Sequence, residues 1–264
     1  MGLTIHYSLK TRGSNALARK VIDALHQTAH DLPLKELGEI VELSGNQRNA
    51  DQRDKDDPLR GLLIEAEECV ELPRSNYEKR QGITTYVRVV PTSIIAFTAW
   101  PGEGCEGSNF GLCQFPDTIE TDRGPIKTRL AGWHWGSFCK TQYASDPNCG
   151  GVPNFLRCHL SVIALLDKAK ELGCLEHVSD EGHFWEKRDL RALVQAIGSW
   201  NEMLAAFGGR LKDLLGDGPP GVESAINHYP NFEQLEAAGQ PRLPAGWEKL
   251  ATLIGRVARE APAK

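Results

Sequence analysis

The amino-acid sequence predicts an α+β fold, with a mainly antiparallel or mixed sheet of about six to eight strands, helices packed on it and a helical C-terminal extension. Three observations lead to this prediction. The chain opens with the pattern strand, helix, strand, and residues 60–143 then contain five candidate strands in succession. After Pro153, apolar residues return at helical spacing. A long run of strands favours antiparallel pairing, so helices and sheet are expected to be largely segregated along the chain.

Two periodicities predict the opening elements. Apolar and polar residues alternate over residues 3–9, which is the period of a half-buried strand. Asn15 can cap a helix that continues until Pro33, and residues 39–43 form a second predicted strand. Residues 44–58 are polar and highly charged, so they are expected to form an exposed loop.

The rest of the chain divides into a strand-rich part and a helical part. The strands are predicted at residues 62–71, 83–90, 93–100, 110–115 and 132–143. They are followed by a helix over 155–169, a short strand over 174–179 and a helix over 190–207 that ends at Gly208 and Gly209. We therefore predict an α+β domain at 1–215. Residues 216–264 form a loop-rich linker, with a short helical piece near 232–238, and a last helix over 247–257 that packs on the body or on a partner.

Composition and charge exclude several classes of protein. The chain has 264 residues, 41% hydrophobic and 25% charged, which is typical of an ordinary globular protein. A formal net charge of -5 without a long Lys/Arg run argues against nucleic acid as a partner. No apolar window is long enough to predict a membrane helix, and the N-terminus lacks the pattern of a signal peptide. Seven irregularly spaced cysteines indicate a reducing, cytoplasmic location.

Three short motifs are better explained by structure than by chemistry. The GxGxxG string at residues 102–107 is followed by a predicted strand rather than a helix, so it predicts a turn and not a dinucleotide site. Ser137 and Lys140 match SxxK, but on a strand their side chains face opposite ways. The cysteines contain no CxxC pair, so free thiols are expected and no metal ligands are assigned. The sequence identifies no cofactor.

The candidate site combines a lysine-bearing strand, a histidine-bearing helix and an acidic turn. An amine can hold an anionic group, and a histidine beside a carboxylate can act as a general base. The candidate catalytic residues are Lys140, His159, Asp180 and Glu181. The candidate substrate-binding residues are His6, Gln142, Tyr143, Trp185 and Glu186. A structural role is the alternative, because His159 lies on the core-facing stripe of its helix and acids near residue 186 can cap the next helix.

Five stretches over roughly residues 1–210 resemble a group of bacterial cytosolic proteins for which no activity is known. They read MGLTIHYSL from residue 1, WPGEG from 100, SFCKTQYAS from 137, GGVPNF from 150 and SDEGHFWE from 179. The resemblance implies a bacterial cytosolic protein and makes the lysine strand and the acidic turn candidate sites. It supplies no catalytic residues. It also leads us to expect glycine at position 183, where this chain has His183.

Two functions from different classes are compatible with the sequence. The leading hypothesis is a small-molecule-binding protein with a polar cleft, acting as a hydrolase or group transferase through Lys, His and carboxylate chemistry, with or without a metal ion. The alternative is a protein without catalytic activity that binds a protein partner or forms a homo-oligomer through the Trp133/Trp135 strand or the last helix. The sequence does not distinguish an enzyme from a binding protein and identifies no substrate.

Overall fold

A computed structural model of the chain describes residues 3–57, 59–215 and 225–242. Its strands are β1 Thr4–Thr11, β2 Glu36–Leu37, β3 Val41–Ser44, β4 Glu68–Glu71, β5 Tyr86–Val89, β6 Ser93–Trp100, β7 Ser108–Gln114, β8 Thr118–Ile119, β9 Ile126–Lys127, β10 Trp133–Lys140 and β11 Leu175–Asp180. Its α-helices are α1 Asn15–His30, α2 Leu59–Glu65, α3 Asn76–Gln81, α4 Gly151–Glu171, α5 Phe184–Lys187, α6 Leu190–Leu215 and α7 Phe232–Gly239.

A seven-stranded antiparallel sheet forms the centre of the fold. Its order is β11-β1-β10-β7-β6, and both β2 and β3 pair with β6 at the far edge. The pairs β4-β5 and β8-β9 form two separate hairpins. The predicted α+β class is confirmed, and the pairing is antiparallel at every strand contact of the described residues.

The first strand positions the two stretches that carry the candidate site. β1 lies between β10 and β11, with Thr4 opposite Lys140 on one side and Ile5 opposite Asp180 on the other. Ile5 is buried beneath the helices, whereas His6 is exposed on the opposite face, as expected from the alternation of a strand. Residues near 140 and near 180 therefore meet across the beginning of β1.

Helices α1 and α4 contact each other and provide much of the core beside the sheet. In α1 the buried residues Ala18, Val21, Ile22 and Leu25 recur at helical spacing, as predicted. The N-cap is Ser14 rather than Asn15, because the Ser14 side chain accepts a hydrogen bond from the Leu17 amide. Burial of these apolar faces fixes both helices against the sheet.

Two of the differences from the prediction concern helices. The stretch predicted as one strand over 62–71 is instead the helix α2 followed by β4, since Leu62, Leu63 and Ala66 are buried on one side of a helical turn. Such short apolar runs fit either period. Helix α6 continues through Gly208 and Gly209 to Leu215.

Close packing against the C-terminal segment explains why α6 does not end at its glycines. A Cβ on Gly208 would lie 2.6 Å from the Asn227 side chain, and Gly239 of α7 packs directly on the Glu202 carbonyl. Gly208 thus permits the turn around Asn227 to approach α6, and Gly239 permits α7 to do so. Their role depends on tertiary structure and is invisible in the local pattern.

The remaining predictions concern the strand over 132–143 and the C-terminal part of the chain. The strand predicted over 132–143 ends at Lys140, and residues Gln142–Ser145 form a 3-10 turn. The helix predicted over 247–257 and part of the linker lie outside the described residues, and the boundary at 215 stays a prediction. Within the described ranges, no helix has both the length and the apolar character required to cross a bilayer.

Candidate functional site

A chain of three buried side chains connects β10, α4 and β11. The Thr141 hydroxyl lies 3.0 Å from His159 Nδ1, and His159 Nε2 lies 3.2 Å from Asp180 Oδ2. Asp180 also accepts hydrogen bonds from the backbone amides of Gly182 and Trp185. His159 is 0% exposed and Asp180 3% exposed, so all of these contacts are made inside the protein.

The Asp180 carboxyl is held in its charged form. Burial by itself raises its pKa, but hydrogen bonding and the charge of His159, together with the Trp185 and Gly182 amides, bring the pKa below its ordinary value. Such a pattern satisfies every acceptor of a carboxylate that has left water. In this environment the Asp180–His159 pair ties the acidic turn to α4.

Gln142 belongs to a second buried network beside this chain. Its side chain accepts from the Leu3 amide at 3.2 Å and donates to Asn201 of α6 at 3.3 Å. Asn201 in turn donates to the Ser145 hydroxyl. The network fixes the beginning of β1 and the turn after β10 against α6, which is a structural function.

Of the other predicted residues, Glu181 and His6 are exposed, whereas Lys140 and Tyr143 are half-buried. Glu181 is exposed, and its carboxylate accepts from the Thr4 amide at 2.9 Å. The Lys140 ammonium lies 4.8 Å from the ring centroid of Tyr143. His6 is exposed on the sheet face away from the helices, with its ring centroid 5.8 Å from that of Phe138.

Trp185 and Glu186 complete the set. Trp185 is partly buried. Its ring centroid lies 4.5 Å from Arg188 Cζ and 5.8 Å from Lys170 Nζ. Glu186 is exposed in the first turn of α5. The structure thus brings the two stretches together but separates their polar groups: His159, Asp180 and Gln142 are enclosed, whereas Glu181 and Glu186 are exposed and Lys140 is half-buried against Tyr143. Their catalytic and substrate-binding roles stay predictions.

Backbone geometry explains why glycine suits position 183. His183 has φ 56°, in the left-handed region that favours glycine. The residue sits at the turn from β11 into α5, directly after Gly182, which packs on Leu193 and Asp180. A residue in this position is constrained by its backbone, and its imidazole is exposed.

The strand that carries Trp133 and Trp135 was expected to bind a protein partner through an exposed aromatic patch. Trp133 and Trp135 are almost completely buried, so the β10 tryptophans present no aromatic patch to a partner. This part of the partner-binding hypothesis is wrong, because both indoles face the core rather than solvent. The helix over 247–257, which carried the other part, lies outside the described residues.

An open groove lies at a different place, along β4, β9 and the segment after β9. It has a volume of about 910 Å³, within the range of small-molecule sites. A smaller cavity of about 470 Å³ at the end of β1 adjoins it, and Arg129 lines both. We call the two together the basic groove, because their charged lining residues are Lys10, Arg12, Arg74, Lys79, Lys127, Arg129 and a single carboxylate, Glu71.

Most of these cations are not neutralised by neighbouring acids. Arg74 pairs with Glu71 at 2.8 Å and Lys10 pairs with Glu176 at 3.2 Å. The other four, Arg12, Lys79, Lys127 and Arg129, form no ion pair or side-chain hydrogen bond with any described residue. The groove therefore concentrates uncompensated positive charge on an otherwise acidic chain.

Two interactions hold the groove in shape. Arg123 forms a bidentate ion pair with Glu78 and donates to the Pro73 carbonyl in the groove wall. This guanidinium, with hydrogen bonds from Ser75 and Thr85, holds the pKa of Glu78 far below its usual range. Glu78 is thus fully engaged by Arg123 and does not neutralise the other cations.

Arg129 adopts the left-handed conformation, with φ 62°, although it is not glycine. The buried Thr128 beside it donates to the Pro116 carbonyl at 2.6 Å and fixes the backbone there. Strained residues of this kind persist where the surrounding structure holds them, and they are frequent at functional sites. Here the strain places Arg129 between the two cavities.

A further polar cluster lies where β10 departs from β7. Only Trp133 and His134 of β10 pair with β7. Beyond them, the Glu65 carboxylate accepts hydrogen bonds from Asn109 and Ser137. Burial raises the pKa of Glu65 despite these two donors. This carboxyl is the kind of group whose pKa departs from normal at functional sites. No local pattern indicates it, because its partners Asn109 and Ser137 are distant in the chain.

Replacing Glu65 by glutamine is expected to stabilise the protein at neutral pH. A raised pKa in the folded state means that folding favours the protonated acid, so stability declines as the pH rises from the ordinary value of 4.5 through the folded pKa. The neutral amide of E65Q retains an oxygen acceptor for Asn109 and Ser137. Thermal unfolding should give a higher Tm than wild type at pH 7 and no gain at pH 4. The control E39Q makes the same charge change at an exposed position. An equal gain in Tm in E39Q would show that the gain does not come from the burial of Glu65.

Comparison with known proteins identifies no relative: no family model, curated protein or solved structure matches the chain.

Proposed function

We propose that this protein binds a small anionic molecule, bearing phosphate or carboxylate groups, in the basic groove. One observation carries the proposal: six cations and one carboxylate line the groove of a chain whose formal net charge is -5. Random placement of charge on an acidic protein does not concentrate cations in a concave site. A small-molecule partner was also expected from the sequence, but at the lysine strand and the acidic turn rather than in the basic groove.

The chemistry of the lining favours an oxyanion as ligand. Arginine presents a planar fork of donors that matches carboxylate and phosphate oxygens, and lysine adds a compact charge. Arg129 stands between the cavities, so an extended anion can contact Arg12 on one side and Lys127 on the other. Apolar residues on the walls, including Val70, Leu72 and Ile126, can accommodate a nonpolar part of the same molecule.

Calorimetric titration with phosphate, pyrophosphate and citrate tests this proposal. We expect binding that strengthens with ligand charge and weakens with added salt, because the cations are exposed and screened. The double variant K127Q/R129N removes two charges, and asparagine tolerates the left-handed backbone at position 129. At about 1 kcal/mol for each charge contact, the upper end of the range for exposed pairs, its affinity should fall about tenfold or more.

The matched control is the double variant K20Q/K187Q, which removes two exposed lysines from α1 and α5, outside the lining of the groove. Its affinity should stay within about twofold of wild type, since only the long-range charge changes. An equal loss in both double variants, or no binding of any of the three anions, would refute the site. Tighter binding of a single-stranded oligonucleotide than of pyrophosphate would assign the groove to another ligand class.

Hydrolysis or group transfer by Lys140, His159 and the acidic turn stays a prediction. The enclosure of His159 and Asp180 supports a structural role for that pair. A cytoplasmic location is proposed on the ground that all seven cysteines are free thiols. Binding of a protein partner through the last helix is kept as the alternative and concerns residues outside the described ranges.

A further inference from the structure

Two cysteines far apart in the chain lie side by side. Cys105 belongs to the turn between β6 and β7, and its amide donates to the Gly102 carbonyl at 3.2 Å. Gly102 packs directly on α4, where an added Cβ would lie 2.5 Å from Cys158 Sγ. The turn thereby brings Cys105 to the part of α4 that carries Cys158, and each of the two thiols is the largest influence on the pKa of the other.

The pair is chemically asymmetric. Hydrogen bonding to Cys158, reinforced by burial, raises the pKa of Cys105. The same hydrogen bond lowers the pKa of Cys158, against the effect of burial, and the positive charge of Arg157 adds to the lowering. Arg157 Nη2 lies 3.6 Å from Cys158 Sγ. A thiol supported by a guanidinium and a second thiol resembles the nucleophilic member of a redox dithiol.

Arg157 is rigidly placed for this role. Its guanidinium donates to the carbonyls of Pro33 and Pro101 and, at 2.7 Å, to the Asn154 side chain. The charge beside Cys158 therefore does not swing away into solvent. Cys158 is itself buried, whereas Cys105 is partly exposed, so a small neutral oxidant approaches the pair from the Cys105 side.

We propose that Cys105 and Cys158 form a redox-active dithiol that hydrogen peroxide converts into a disulfide. The Cys158 thiolate attacks peroxide: an S–O bond forms, the O–O bond breaks, and the leaving hydroxide takes up the proton released by Cys158. Cys105 sulfur then attacks the sulfenic acid, so the S–S bond forms and the S–O bond breaks with loss of water. One peroxide is reduced to two waters, and two thiols are oxidised to one disulfide.

The other five thiols lack one of the two features that define this pair. Burial and the neighbouring Asp146 raise the pKa of Cys149. Cys113 and Cys139 are buried, and burial raises the pKa of each. Burial also raises the pKa of Cys174 to about 11. Cys69 is exposed and interacts with no other described thiol. Selectivity for Cys105 and Cys158 therefore follows from their contact and from the charge of Arg157.

Peptide mapping of the full-length protein after treatment with one equivalent of peroxide tests the proposal. Without reduction, trypsin should yield residues 89–123 linked to residues 158–168, and fragment ions should place the link at Cys105 rather than Cys113. Thiol titration should show the loss of two thiols for each peroxide consumed. Dithiothreitol should restore both thiols.

Variants separate the two steps. In C105S the reaction should stop at the sulfenic acid of Cys158, which dimedone traps. In C158S the rate of peroxide consumption should fall at least about tenfold. C69S is the control and should form the disulfide at the wild-type rate. R157Q keeps both thiols and should slow oxidation severalfold, which provides a test if C158S does not fold. Oxidation confined to Cys69, a disulfide to Cys139 or Cys149, or an unchanged rate in a folded R157Q would overturn the proposal.

Discussion

Replacing Asp180 by alanine is expected to lower the free energy of unfolding by about 3–5 kcal/mol, because it removes a buried carboxylate to which three enclosed groups are hydrogen-bonded. The change strips His159 of its partner and leaves the amides of Gly182 and Trp185 without their acceptor inside the protein. Urea unfolding followed by circular dichroism measures the effect. Loss of less than about 1 kcal/mol would contradict a structural role.

A double-mutant cycle isolates the pair from its surroundings. H159L and D180L should each be strongly destabilising, whereas H159L/D180L should cost clearly less than the sum, because it removes both polar groups together. Strict additivity would show that His159 and Asp180 do not stabilise each other. As a control, D167N removes an exposed carboxylate that pairs with Arg188 at the surface, and its effect should be small.

The pH dependence of stability has a definite sign. The pKa of Asp180 is lowered in the folded protein, so its contribution is complete above the ordinary value of 3.8 and is lost as the pH falls through the folded pKa. As the pH is lowered below 4, the free energy of unfolding of D180N should therefore fall less than that of wild type. A parallel decline in both proteins would count against the charged state of this carboxyl.

Replacing Trp135 by alanine is expected to cost about 3–5 kcal/mol, as is usual for a large aromatic side chain removed from a core. Trp135 is 2% exposed, its indole packs against Gly111 of β7, and its Nε1 donates to the Asn109 carbonyl at 2.8 Å. The indole fills the space where β10 and β7 no longer pair. Its removal leaves a cavity between two central strands, which chemical denaturation should register as a lower midpoint.

Two substitutions serve as controls for this prediction. W135F keeps most of the apolar volume but loses the N–H donor, so it should cost less than W135A, while the Asn109 carbonyl still accepts from Tyr7. W185A removes a partly buried indole that stacks on Arg188 at the surface, and it should cost about 1 kcal/mol. A W135A protein as stable as W185A would refute the core role of Trp135.

The candidate site was only partly accessible to sequence reasoning. Periodicity placed His159 on the core-facing stripe of α4, and the structure confirms this position. It could not reveal that Asp180 is its partner, because β11 meets α4 only after pairing with β1. Lys140 and Glu181 flank the same region but are not hydrogen-bonded to the His159–Asp180 pair, and strand alternation alone does not show which polar groups meet.

The basic groove gives no signal along the chain. Its cations come from the end of β1 and the residue after it, the segment after β4, α3, and β9 with the turn after it, so no run of Lys or Arg exists to be recognised. The thiol pair is hidden in the same way, since Cys105 and Cys158 are brought together by the packing of Gly102 on α4. In both cases the chemistry depends on distances that only long-range packing sets.

The sequence by itself determined the α+β class, most strands and helices, and the inward face of β1 and α4, because these depend on the local period of apolar residues. The tertiary structure decided the order of the strands, the helical state of residues 59–65 and the path of α6 through its glycines. It also decided which polar groups are enclosed and which cations line a groove. These properties arise from contacts between distant segments, whose energies no local pattern encodes.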